Sequence, residues 1–330
     1  MKRILFLVAL VLAPRAALAF GGISDPGVAA DSQPGASWSR IDLSYVRFTS
    51  YYDADGHRRS LDRAYATAAG NGRGVAIDAL VVSFAGRFVI GPGCSAGVSV
   101  PLVRNSRSGH IQVVPGIEQS VYAEGSSIGD IVADVTLEVP LPDTRDAFGA
   151  SFALQAPSGT WHGLDATRLP TGNGTIGAGG ELFAGWRSEV WEAGAAAGIL
   201  VLLPRRQSGG DVDLGDPIWG RAHGSRHFGQ NASAGLEVTG INRTADRVAR
   251  TPVADATLGD TPGMLSPASS LVTVSPFVEG RVARSTFARV SISNPANGWM
   301  FIPVRTGVAV RGRNVLAPDA QLALSVQARF

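Results

Sequence analysis

Residues 131–140 read Ile131-Val132-Ala133-Asp134-Val135-Thr136-Leu137-Glu138-Val139-Pro140. Positions 131, 133, 135, 137 and 139 are all apolar, while Asp134, Thr136 and Glu138 between them are polar. Successive side chains of a strand point to opposite faces, so this alternation separates a greasy face from a polar one along the whole segment. Pro140-Leu141-Pro142-Asp143 then closes it as a turn. A segment of about 9 to 11 residues with this pattern is what crosses a bilayer as one stave of a closed sheet.

The C-terminal segment repeats the pattern. Leu322, Leu324, Val326, Ala328 and Phe330 share one face, and Ser325, Gln327 and Arg329 the other. An aromatic last residue behind such alternation resembles the targeting strand of bacterial outer-membrane proteins, which the barrel-assembly machinery recognises. A secreted soluble sandwich can also end in a strand of this kind, so the remaining segments have to decide. Further strands are read at Trp38 to Tyr52, Val75 to Ile90, Cys94 to Arg104, Phe148 to Ala156, Thr175 to Trp186 and Val190 to Leu203. Less sharply bounded ones follow at Ile218 to Phe228, Asn231 to Asn242, Ser269 to Val282 and Met300 to Arg311.

With the two alternating segments the tally is about 12, an even number as single-chain bacterial barrels require, with about 10 or 14 also compatible. The fold class expected is all-β: a transmembrane antiparallel up-and-down β-barrel. Gly91-Pro92-Gly93 and Arg187-Ser188-Glu189 read as tight hairpin connections on the periplasmic side. The longer polar stretches, Asp53 to Gly74, Asn105 to Gly129, Pro204 to Pro217 and Arg243 to Pro267, read as extracellular loops.

The N-terminus predicts export. Lys2 and Arg3, the apolar run Ile4 to Ala13 and the small-residue site Ala17-Leu18-Ala19 have the three zones of a secretory signal. Residues 1–19 are thus expected to be removed, residues 20–36 to form a periplasmic lead-in, and residues 37–330 to form the barrel. Taking Lys2, Arg3 and Arg15 from the 29 basic residues leaves 26 against 27 acidic ones, which removes the main argument for nucleic-acid binding. Charged residues at 17% lie below the roughly 25% of soluble domains, and 41 glycines lie above the usual share. Ala193 to Leu203 is far too short for a spanning helix, so a membrane would be crossed with strands. The lone cysteine, Cys94, forms no internal disulfide and reads as a small apolar side chain.

Alternation assigns Asp134, Glu138, Glu181, Glu237 and Arg329 to the inside, because an outward Arg at the bilayer midplane costs ~2 to 4 kcal/mol and an acid somewhat less. Charges of both signs indoors are compatible with a packed, salt-bridged lumen or with a polar pore. His223 and His227, with Asp211, Asp213 and Asp216 shortly before them, offer donors for a metal near a loop; a solvated polar loop is the simpler reading, and no metal is expected. Asp53-Ala54-Asp55-Gly56 suits a tight turn, since His57-Arg58-Arg59 puts the wrong charge where a calcium loop needs oxygen.

Some of these stretches carry a resemblance. Tyr51-Tyr52-Asp53-Ala54-Asp55-Gly56, Val100-Pro101-Leu102, Gly129-Asp130-Ile131, Leu154-Gln155-Ala156-Pro157-Ser158-Gly159-Thr160 and the glycine-rich Gly172 to Gly180 follow one another in the order of a known pattern. The chain resembles the outer-membrane proteins associated with the meta-pathway of phenol degradation, with Ser127 where that family has the first glycine of its Gly-x-Gly-Asp segment. The resemblance implies a barrel related to hydrophobic-compound and long-chain fatty-acid channels, with Asp53, Asp55, Gly56, Gly129 and Asp130 as its motif positions.

The function expected is therefore passive passage of small hydrophobic, including aromatic, compounds across a bacterial outer membrane, with no cofactor and no enzyme activity. The partners expected are outer-membrane lipid, lipopolysaccharide, the barrel-assembly machinery and the small ligand itself. A surface-binding barrel without transport and a lipid-modifying barrel enzyme are the rival readings. No HExxH and no paired CxxC occurs to support the latter.

Overall fold

The computed structural model describes residues 37–52, 57–65, 70–141, 147–160, 168–169, 171–172, 174–207, 210–244, 247–248, 251–252, 269–283, 285–295 and 315–329. Twelve antiparallel strands form one closed sheet. They are β1 (Trp38–Tyr52), β2 (Arg73–Gly91), β3 (Cys94–Val114), β4 (Ile131–Pro140), β5 (Ala147–Ala156) and β6 (Gly177–Arg187). Then follow β7 (Trp191–Leu202), β8 (Pro217–Phe228), β9 (Ala232–Arg243), β10 (Ser269–Ala283), β11 (Thr286–Pro295) and β12 (Val315–Arg329). Each strand pairs with the next, and β12 closes on β1 with Arg329 opposite Trp38 and Val315 opposite Tyr52. Closure satisfies every ladder and leaves no edge, the condition for a sheet to survive in hydrocarbon.

The alternation read from residues 131–140 is reproduced by burial. Val135, Leu137 and Val139 are exposed on the outer wall, whereas Val132 and Thr136 are buried inside. Ile41, Leu43 and Tyr45 of β1, Phe148, Phe152 and Leu154 of β5, and Leu322, Leu324 and Val326 of β12 continue the apolar exterior. A surface that greasy is tolerable only where lipid covers it. Among the described residues no helix is long and apolar enough to cross a membrane.

The two ends differ. One has short turns: Pro92-Gly93 with Gly93 at φ +65°, Ser188 to Val190, and Gly229 to Asn231 with Gly229 at φ +69°. The other carries the long connections. The β1–β2 connection includes a short strand, Arg58–Ser60, and one helical turn, α1 (Leu61–Ala64), capped by the Ser60 hydroxyl on the Asp62 N–H. The connections after β7 and β9 contribute Arg205–Gln207, Gly210–Asp213, Arg247–Val248 and Thr251–Pro252 to a separate four-stranded sheet.

One expectation about the boundaries is corrected, and one strand is added. Asn105 to Gly129 is not a loop: β3 continues to Val114, and Ile117–Ser120 and Ala123–Ile128 pair back along it. Above the bilayer neither face has to be apolar, so those strands lose the alternation that would reveal them. The position next to β12 is filled by Thr286–Pro295, which pairs with both β10 and β12. The stretch Met300 to Arg311, read as a strand from sequence, lies outside the described residues, as do residues 1–36 and Phe330.

Candidate functional site

The barrel interior is built in two zones. Toward the long-loop end it carries two apolar clusters, with the buried Asn105 and Arg107 of β3 beside the first. Val46, Phe48 and Tyr51 of β1 and Val75, Ile77 and Ala79 of β2 point inward and pack against Leu61 of α1 and Tyr65 just beyond it. The connection is pinned there because Asp62 accepts the Gly72 N–H through its carbonyl at 2.8 Å and the Val75 N–H through its carboxylate at 2.7 Å. A second inward cluster joins Leu200 and Leu202 of β7, Val212 and Leu214 of the following connection, and Trp219 of β8, with Ile241 beside it.

Toward the short-turn end the interior is charged and paired. Arg87 on β2 reaches Asp134 on β4 at 2.5 Å, passing over Gly97 of β3. A Cβ on Gly97 would overlap the Asp134 carboxylate. The Thr136 hydroxyl donates to the same carboxylate at 3.0 Å. On the far wall Glu181 of β6 receives the Trp219 indole N–H at 2.8 Å and Arg221 at 3.3 Å, and its side chain is wholly shielded from solvent. Here the reach is over Gly198 of β7, where a Cβ would overlap the Trp219 ring. Glu237 of β9 receives Arg289 of β11 at 3.2 Å and the Thr239 hydroxyl at 3.3 Å, while the Arg289 guanidinium lies 3.6 Å from the Phe277 ring centroid. In the first two pairs an inward glycine thus lets the two strands flanking it interact directly, while in the third Arg289 passes over the Phe277 ring of β10.

Glu138, also inward on β4 opposite Gly149, is only partly buried. Arg329 stands opposite Trp38 at the short-turn end. Asp134, Glu181 and Glu237 therefore share the lumen, each held by an arginine of another strand, and Arg40 and Asp42 of β1 add a further buried pair at 3.3 Å.

The motif positions carrying the family resemblance converge. Ala123–Ile128 and β4 form one interrupted strand: Ile128 stands opposite Leu102 and Val132 opposite Ser99, so one extra residue bulges at Gly129-Asp130. The bulge carries the buried Asp130 carboxylate to the Gly159 N–H at 2.9 Å and the Gln155 amide at 3.2 Å. The Ser158 hydroxyl donates to the Gly129 carbonyl at 2.7 Å and accepts the Ile131 N–H at 2.8 Å. Gly159 and Gly172 leave no room for a Cβ beside Asp130. Thr171 bridges onward to Thr160 at 2.8 Å and to the Ile128 carbonyl at 3.3 Å, and Leu169 donates its N–H to Glu124. Above the end of β5, this segment therefore flanks Ala123–Ile128 where a full strand would otherwise stand. Asp53, Asp55 and Gly56 lie outside the described residues.

The metal reading loses its geometry. Asp211 and Asp213 sit in the loop sheet and the Asp216 carboxylate accepts the Leu202 N–H, all at the long-loop end. His223 and His227 lie toward the short-turn end of β8, facing Glu192 at 3.8 and 3.3 Å, with Arg187 at 3.4 Å on the same carboxylate. Among the described residues no group of three or more donors is arranged to hold a metal. Gly93-Cys94-Ser95-Ala96-Gly97 and Gly125-Ser126-Ser127-Ile128-Gly129 do have the spacing of a hydrolase nucleophile elbow. Their central serines, Ser95 and Ser127, lie within strands, whereas the elbow is a sharp strand-to-helix turn.

No protein-family model matches the chain, and no curated protein matches it by sequence. Its fold is similar to that of the COG4313 outer membrane channel from Pseudomonas putida F1, at a TM-score of 0.65 with 13% identity, covering 93% of this chain and 100% of that one. The chain has an outer-membrane barrel fold. Weaker likenesses extend to a Pseudomonas aeruginosa FadL homologue (TM-score 0.42, 12% identity, 97% of this chain and 99% of that one) and to the Pseudomonas putida toluene transporter TodX (0.40, 12%, 94% and 93%).

Proposed function

We propose that the protein is a bacterial outer-membrane channel through which small hydrophobic compounds, aromatic ones included, diffuse passively. The observation that carries this reading is the pair of inward apolar clusters, around Phe48, Ile77 and Tyr65 and around Leu200, Leu214 and Trp219, at the long-loop mouth of a closed barrel. These side chains are packed against one another, so the mouth is walled by apolar rather than hydrated groups, and an apolar solute leaving water there is favoured by about 25 cal/mol per Å² of apolar surface covered. Short turns mark the periplasmic end and long connections the outer face. The resemblance to the phenol meta-pathway barrels supports the same class of solute.

The purified, refolded chain in liposomes should raise the permeability to a neutral aromatic solute above that of protein-free vesicles. Equal permeability would overturn the reading. A barrel that does not conduct is the reading favoured by the buried Arg87–Asp134 and Glu181–Arg221 pairs, which fill part of the lumen with side chains held by one another. Deleting residues 205–210, which spares Val212 and Leu214, separates the two: a channel keeps passing solute, while a surface-binding barrel loses its ligand.

A further inference from the structure

We propose that Arg226, on the outer wall of β8, is the headgroup site for a phospholipid of the periplasmic leaflet. The inference rests on the outer-membrane reading above for its orientation. Arg226 is exposed between the buried Ser225 and the inward His227, so it points away from the lumen. It is the second outward position back from the Gly229 turn, since Phe228 follows it on the same face. That places it at the short-turn border of the apolar exterior, where phosphates of the inner leaflet lie.

Its surroundings on each side are known. Trp191 of β7 stands directly opposite, with the guanidinium 5.8 Å from its ring centroid, and Phe228 flanks it at 5.6 Å. On the other side Ala234 of β9 is its partner, and Gly224 precedes it on its own strand. None of these is acidic. The outward arginines near the opposite border are treated differently: Arg47 lies 4.0 Å from Asp78, and Arg104 lies 2.7 Å from Glu124.

The aromatic pair fixes the guanidinium without neutralising it, because a ring face attracts a cation but carries no net charge. A planar, permanently charged fork held at the height of the phosphates matches a phosphodiester, which accepts two parallel N–H bonds from it. Gly224 has open space where a side chain would stand. Together with Ala193 and Ala222 it keeps the adjoining wall low enough for the acyl chain of the bound lipid to lie against it.

The test uses the full refolded chain, whose faster migration on an unboiled gel reports the barrel. Protein purified from detergent is incubated with phosphatidylglycerol or with dioleoylglycerol, which lacks the phosphate, and retained lipid is counted by native mass spectrometry. The wild type should retain phosphatidylglycerol in preference, R226Q should lose about fivefold of that retention, and R47Q should behave as wild type. W191A gives a second route to the same loss should R226Q refold poorly. Equal retention by R226Q or W191A and wild type overturns the site, as does equal retention of phosphatidylglycerol and dioleoylglycerol by the wild type. Absence of the gel shift in the wild type would instead sink the barrel reading on which the site rests.

Discussion

The Trp219 indole N–H reaches Glu181 at 2.8 Å from two strands away, across the space left by Gly198. Trp219 also belongs to the apolar cluster of the mouth, so a single side chain joins the greasy upper zone of the lumen to the charged lower one. W219F keeps an aromatic side chain but removes the indole donor and some volume, leaving a fully shielded carboxylate short of a partner at a cost of about 1–3 kcal/mol. G198V pushes the indole off its seat and should cost a similar amount through overpacking, about 1–3 kcal/mol. Both should lower the urea midpoint at which the fast-migrating unboiled band disappears. An unchanged midpoint for W219F would show that the bond contributes nothing.

Arg87 and Asp134 make the complementary case on the opposite wall, at 2.5 Å with the Arg87 side chain 3% exposed. Removing one member of such a pair strands a buried charge and is expected to cost about 3–5 kcal/mol, whereas removing both costs far less. D134A and R87M should therefore be more destabilised than the R87M/D134A double variant in the same urea assay. Additive losses in the double variant would count against a coupled pair.

How far these contacts were legible in the sequence follows from what alternation reports. In residues 131–140 one face meets lipid and the other meets the lumen, so Asp134 and Glu138 are assigned inward from their neighbours alone. The partner of Asp134 is not visible that way, because Arg87 lies two strands away and only Gly97, which reads as a strand-weakening residue, makes the meeting possible. The same holds for Gly198 between Trp219 and Glu181. Thr286–Pro295 is not legible because its outward residues include the small Ala288 and its inward ones Phe287 beside Arg289, a weak contrast over a short run. The Gly129-Asp130 and Pro157-Ser158-Gly159 stretches were recognisable as motifs, yet their mutual contact depends on a bulge that no linear pattern announces.

Asp130 holds the segment that flanks Ala123–Ile128. Its carboxylate accepts from the Gly159 backbone and from Gln155, in a space that Gly159 and Gly172 leave only by lacking a Cβ. D130A removes two acceptors from buried donors and should free this segment without opening the ladders of the barrel, because the pairing of β4 with β5 runs independently from Ile131 to Pro140. Limited proteolysis should then cut between Gly159 and Ile176 at least tenfold faster than in the wild type, an effect of about 1.4 kcal/mol on local opening. Unchanged cleavage with an unchanged gel shift would mean that the segment is held by other contacts.

Tyr65 supplies a pH dependence at the mouth. Burial among Val46, Leu61 and Ile77 pushes its phenol above the ordinary value of 10.0, and Arg107, whose guanidinium donates to the phenol oxygen at 3.3 Å, pulls only partly the other way. The folded state therefore keeps this proton at pH values where the unfolded chain has begun to lose it. Between the unfolded value and the raised folded one, the unfolded state binds fewer protons, so stability is fully present below pH 10 and declines as pH rises through that window. Y65F has no proton to lose and should show a flatter profile there, though it starts lower because the bond to Arg107 is gone. Urea midpoints of both proteins followed from pH 9 to about 11.5 test this, with the difference spectrum at 295 nm reporting phenolate directly. Parallel profiles would place Tyr65 in contact with water and dissolve the packed cap that the apolar mouth requires.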